Sequence, residues 1–177
     1  MKFFLISFFV YCLFNHKAFS LDTIAKQAIL YDYETKTIIF EKNSEELMSP
    51  SSMSKIMTIY YVFKKIKDGD LKLTDKFKVS KKAWKKGGSK MFVNVNTMVS
   101  VEDLIRGIIV QSGNDACIAI AEGISGSEAL FAEELNLLAK EIGMMNSSFT
   151  NSTGWPDPDH LTTIQDLLTL TVRTIED

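Results

Sequence analysis

The chain has 177 residues, 46% of them hydrophobic, with 20 basic and 22 acidic residues and only two cysteines and two histidines. The length suits one domain. So little histidine and cysteine argues against a zinc site of the usual kind, and against a Ser-His-Asp triad unless His160 serves it. A formal charge of −2, with no broad basic surface, argues against nucleic acid as a partner.

Residues 1–20 open on a short basic start, Met1-Lys2, followed by an apolar run from Phe3 to Phe14 and a small-x-small triplet, Ala18-Phe19-Ser20. This predicts a secretory signal peptide cut after Ser20, with an uncleaved anchor as the alternative. The apolar run falls short of the about 20 residues that span a bilayer comfortably. Cleavage would remove Lys2 and Lys17, shifting the formal charge from −2 to −4, and would also remove Cys12 and His16. Cys117 and His160 then remain alone, so no internal disulfide can form, and the mature chain, residues 21–177, is expected outside the cytoplasm.

Alternation over residues 28–31 and 37–40, around Asp32-Tyr33-Glu34-Thr35-Lys36, predicts a β-hairpin. A polar connector leads to Pro50. Residues 52–67 carry Met53, Ile56, Met57, Tyr60, Tyr61, Phe63 and Ile66 at helical spacing, ended by Asp68-Gly69-Asp70. Residues 71–99 read as short strands and turns, with a basic cluster, Lys81-Lys82-Ala83-Trp84-Lys85-Lys86, read as a solvated helix end in preference to a contact with an anionic polymer. Ser100 predicts the cap of a helix to Val110, residues 111–115 break it, and residues 116–124 form the next. Ser127 caps a third helix over 128–142, closed by Gly143. A loop rich in Asn, Ser, Gly and Pro spans 146–160, and a last amphipathic helix covers 162–175. The layout is α+β, a hairpin and a mostly helical body, with too few strands for a complete sheet.

Two short motifs carry chemistry. Ser52 and Lys55 are three residues apart at a helix start, so hydroxyl and amine share a face. A serine hydroxyl becomes a nucleophile when a base takes its proton, and a desolvated lysine can be that base. Free N–H groups at the helix start would stabilise negative charge on the reacting carbonyl. The same spacing also fits Ser51 or Ser52 as a plain N-cap. Ser112-Gly113-Asn114 lies in the break between two helices. There Ser112 could relay a proton beside Lys55, and the Asn114 amide could both donate to and accept from a peptide; an ordinary Gly-Asn turn is the alternative. S-x-x-K followed by S-x-N is the pair that, with K-T-G, marks penicillin-binding proteins and class A β-lactamases.

These residues, together with Leu104-Ile105-Arg106-Gly107, the run Gln111 to Cys117, Gly154-Trp155-Pro156-Asp157-Pro158-Asp159-His160 and Thr162-Thr163-Ile164-Gln165-Asp166, resemble the low-molecular-mass penicillin-binding proteins. These are D-alanyl-D-alanine carboxypeptidases of peptidase family S11. The resemblance covers residues 22–177 in order. It implies a β-lactamase/transpeptidase-like (DD-peptidase) fold, a helical subdomain beside an antiparallel sheet. It also implies serine acyl transfer on peptidoglycan pentapeptide stems: Ser52 attacks the carbonyl between two D-alanines, Lys55 is the base, Ser112 carries the proton to the leaving amine, and Gly113 and Asn114 hold the peptide. β-Lactams would trap Ser52 covalently in the periplasm or its extracytoplasmic equivalent. Neither a metal nor an organic cofactor is implied, and His160 reads as a loop residue outside the constellation.

The sequence departs from that family at its third motif. No Lys-Thr-Gly occurs, and the nearest string, Lys36-Thr37-Ile38, lies in the hairpin. Residues 21–177 are therefore expected to form a partial catalytic domain, truncated at the C-terminus, with an incomplete sheet and without the K-T-G strand, the C-terminal β domain or a membrane tail. Loss of one oxyanion donor costs about a hundred- to a thousandfold in rate. The expectation is a chain impaired on its own, either acting with a complementing C-terminal fragment or acting as a peptidoglycan-binding remnant. A β-lactamase or related esterase is the less favoured reading, since Ser-Gly-Asn replaces the Ser-Asp-Asn of class A enzymes.

Overall fold

A computed structural model describes residues 21–177; the signal-peptide reading falls outside them. Strands β1 (Ala28–Asp32) and β2 (Thr37–Lys42) pair antiparallel, with Ala28 opposite Lys42 and Leu30 opposite Phe40. The turn forms because the Asp32 carboxylate accepts from the backbone N–H groups of Glu34 and Thr35, and Lys36 takes the left-handed conformation. A 3₁₀ turn, Ser51–Met53, leads into α1 (Ser54–Lys67). A second two-stranded sheet pairs β3 (Lys76–Lys78) with β4 (Met98–Ser100), and the short helix α2 (Lys81–Lys85) lies between them in sequence. Helices α3 (Val101–Gln111), α4 (Asn114–Ser125), α5 (Glu128–Glu141) and α6 (Ile164–Glu176) complete the described residues. The architecture is α+β, a helical body with small antiparallel sheets that do not close on each other.

The caps explain where the helices begin. Ser80, Ser100, Ser127 and Thr163 each accept a backbone N–H three residues on, replacing a bond that the first turn lacks. The last helix accordingly starts at Ile164, because Thr163 is its cap. The basic cluster forms a helix of its own: Lys82 pairs with Glu128 at 2.7 Å, and Lys86 sits 3.9 Å above the Trp155 ring. Neither Ser51 nor Ser52 makes a side-chain cap bond, so the plain-cap alternative for the first motif is not what the structure contains.

Helix α4 is the hub, with Ala116 to Ala121 wholly buried. On one side lies a cluster that includes Val62, Val79, Leu104, Ile118 and Ile120; on the other, one that includes Met57, Phe131, Leu135, Phe149 and Leu170. Helix α1 feeds both clusters, Ile59 and Val62 into the first and Met57, Tyr60 and Tyr61 into the second. Burial of each such side chain contributes about 1.5–3 kcal/mol. Helix α1 is therefore packed on two sides. Among the described residues no helix is long and apolar enough to cross a membrane.

Candidate active site

Ser52 lies in the 3₁₀ turn and is exposed, whereas Lys55, one residue into α1, is buried. The Lys55 ammonium nitrogen donates to Ser52 Oγ at 3.1 Å. Burial pushes the Lys55 amine below its usual 10.5, because an apolar setting disfavours the cation. Cys117 acts the other way. Its own thiol is fully buried and pushed up to about 12, so it is neutral at physiological pH and leaves the lysine effect to burial.

Ser112 ends α3 in the left-handed conformation, φ 53° and ψ 37°, and α4 begins two residues later at Asn114. The break between the helices is thus only Ser112 and Gly113. Ser52, Lys55 and Ser112 line one cleft of about 280 Å³, with Ile56, Ile59, Ile108, Ile109 and Thr174 as its apolar and neutral walls. Gly113 is tightly packed: a Cβ would lie 3.0 Å from the Met91 backbone nitrogen and 3.2 Å from the Gly107 carbonyl oxygen, so these neighbours would have to give by a few tenths of an ångström. Asn114 is buried and turned to the side, where its Nδ2 donates to the Gly87 carbonyl at 2.9 Å. The structure therefore brings Ser52, Lys55 and Ser112 into one cleft and sets Gly113 and Asn114 at its flank.

Three supports escaped sequence reasoning. Asp115, wholly buried, accepts from the backbone of Met91 at 2.9 Å and Val93 at 3.3 Å, tying residues 91–93 to the start of α4. Glu128 accepts from Ser152 N and Oγ while paired with Lys82. Burial alone would raise its carboxyl, but these partners outweigh it and hold the group below 4.5. His160 is the third. It lies in a loop, as expected, yet is 1% exposed and bonds Ser54 at 2.8 Å. The visible signal for Asp115 was a carboxylate at the first turn of an otherwise apolar helix; the other two are contacts between residues far apart in sequence.

A helical body holding a serine over a buried lysine, with small antiparallel sheets at its side, defines the DD-peptidase or penicillin-binding-protein fold. The crystal structure of the D-alanyl-D-alanine carboxypeptidase DacD from Francisella tularensis is similar, with TM-score 0.86 and 39% identity, covering 89% of this chain and 38% of that one. Penicillin binding protein 5 from Haemophilus influenzae gives TM-score 0.86 at 36% identity, covering 90% and 47%. D-alanyl-D-alanine carboxypeptidase DacF of Bacillus subtilis (strain 168) is 39% identical over 143 residues, 81% of this chain and 37% of its own length. The family model for D-alanyl-D-alanine carboxypeptidases matches residues 15–177, and the chain belongs to that family, peptidase S11. It spans under half the length of these relatives.

Proposed function

We propose that this chain carries the nucleophile side of a serine-type D-alanyl-D-alanine carboxypeptidase acting outside the cytoplasm on peptidoglycan stem peptides. The observation that carries the reading is the 3.1 Å contact between an exposed serine hydroxyl and a buried lysine amine whose cationic form is disfavoured. In the neutral form Lys55 takes the Ser52 proton as Oγ attacks the carbonyl between the two D-alanines. The proton passes by way of Ser112, on the same cleft, to the departing D-alanine amine. The C–N bond breaks and an ester on Ser52 remains. Water then attacks that ester, releasing a stem shortened by one D-alanine and returning the proton to Ser52. Gly113 and Asn114 lie on the flank where the peptide backbone would run. A β-lactam, whose ring amide replaces the D-alanyl-D-alanine bond, would stop at the ester stage.

No Lys-Thr-Gly occurs among the 177 residues, so this motif does not supply the carboxylate-binding side of the proposed site here. The test is intact-mass analysis after incubation of the chain with penicillin. The expected result is one adduct, mapped to Ser52, absent in S52A, with labelling slowed about a hundred- to a thousandfold relative to a full-length relative. A folded chain that never gains the adduct would overturn autonomous acylation. Rapid release of hydrolysed drug would point to a β-lactamase instead.

A further inference from the structure

The turn that carries Ser52 is shaped by a loop almost a hundred residues away in sequence. Ser51 adopts φ 49°, a left-handed conformation uncommon for a residue with a side chain. Such backbone persists where its surroundings over-determine it. Here the surroundings are residues 150–160. Gly154, at φ 75°, lies so close to the Ser51 carbonyl that a Cβ on it would overlap the oxygen, and Ser54 Oγ would sit 2.9 Å from the same Cβ. Thr58 Oγ1 donates to the Ser152 carbonyl at 2.8 Å. Asn151 Oδ1 accepts from Thr153 N and Trp155 N, which curls the loop so that Gly154 faces the turn.

His160 closes this clamp, and its hydrogen bonds define its tautomer. The Thr150 N–H donates to Nδ1 at 3.1 Å, so Nδ1 is the acceptor and the ring proton resides on Nε2. Nε2–H then donates to Ser54 Oγ at 2.8 Å. Phe149 packs edge-on against the ring, with centroids 5.6 Å apart. Ser54 caps the C-terminal end of the 3₁₀ turn and is the first residue of α1, between Ser52 and Lys55. A displacement of Ser54 therefore changes the separation of nucleophile and base directly.

We infer that His160 is a positioning residue for acyl transfer: its Nε2–H bond to Ser54 and the Gly154 contact on Ser51 hold the 3₁₀ turn in the conformation that sets Ser52 Oγ against Lys55. The inference rests on the acyl-transfer reading of that pair. His160 touches neither Ser52 nor the cleft; it acts through Ser54.

Two amides divide its functions. Gln at 160 places an N–H near the Nε2 position and keeps the donor to Ser54 while losing the Nδ1 acceptor. Asn places an oxygen near Nδ1 and keeps the acceptor for Thr150 while losing the donor. The rate of penicillin labelling, compared as a ratio to the parent, is expected to fall roughly ten- to a hundredfold in H160N, as a small misplacement of reacting groups does. H160Q should recover most of it. S54A should fall as H160N does, and S54A/H160N no further, because both delete one bond. The backbone amide resonances of Ser51, Ser52 and Ser54 report the same geometry without chemistry, shifting in H160N and holding in H160Q. Equal loss in H160N and H160Q, tracking their melting temperatures, would overturn the inference and leave His160 as a fold-stabilising residue. A parent that is folded but unlabelled would overturn autonomous acylation, and the amide resonances of the same variants would still decide whether His160 sets the turn.

Discussion

On the proposed acyl-transfer reading, Lys55 must be neutral when Ser52 attacks, so the pH at which it loses its proton would set the pH at which the chain acylates. Burial favours the neutral amine and lowers that pH below 10.5. The rate of penicillin labelling is therefore expected to rise with pH and to level off at a midpoint below 10.5, measured by stopped-time mass analysis. K55M should lose about a hundred- to ten-thousandfold, the usual worth of a positioned base. K55R should fare no better, because a guanidinium stays protonated and keeps its charge at the serine. His160 works in the opposite sense on stability. Burial holds its imidazole below 6.5, against a smaller raising effect from Asp157, so the folded chain keeps it neutral while the unfolded chain protonates it near 6.5. Stability from this residue is complete above 6.5 and is lost as the pH falls from there through the lower folded value. Glu128 adds a second acid limb beneath 4.5, since its carboxyl is depressed in the fold. Thermal melts between about pH 2 and 8 should show both limbs, and H160Q should remove only the upper one.

At the level of elements, α4 is held by close contacts that leave no space for added atoms. Gly123 meets the face of the Phe77 ring from β3, and a Cβ there would overlap the ring. G123A is expected to destabilise the chain by about 1–3 kcal/mol, the usual effect of overpacking, measured by denaturant melting. The elements themselves were largely legible in the sequence. Alternation gave the hairpin, helical spacing gave α1, and Ser100 and Ser127 announced α3 and α5. What was not legible is contact between distant segments. The pairing of Lys76–Lys78 with Met98–Ser100 has no local signature, because each strand is three residues long. The helix at Lys81–Lys85 hides within a run of lysines, stabilised by Glu128 and Trp155 from elsewhere in the fold. Ser52, Lys55 and Ser112, which share one cleft, stood out as candidates because acyl transfer demands those residue types at those spacings. The clamp from His160 and Gly154 was not, since a histidine and a glycine in a polar loop look the same whether they face solvent or a serine turn.

At the scale of the whole molecule, the described residues leave one sheet uncovered. Helix α6 lies against β1, but Leu30, Ile38 and Ile39 remain 45%, 44% and 57% exposed on the hairpin. A two-stranded apolar hairpin with free edges invites pairing with another strand. The chain is expected to self-associate as its concentration rises, measured by sedimentation velocity. I39K should suppress that association with a stability change within about 0.5 kcal/mol, as is usual for surface substitutions.

The loop that backs Ser51 also has a bearing on the order of assembly. The Ser54–His160 bond joins residues 106 apart in sequence, and the Thr58–Ser152 bond joins residues 94 apart. Contacts of that separation carry the largest loop-closure entropy in a folding chain and form after local helices and turns. An emerging polypeptide can wind α1 and present both Ser52 and Lys55 long before residues 150–160 have been made. The proposed nucleophile is then present but unaimed until residues 150–160 arrive. On the proposed reading, completion of this turn becomes a late kinetic event, so a chain still folding would carry Ser52 in an unreactive form.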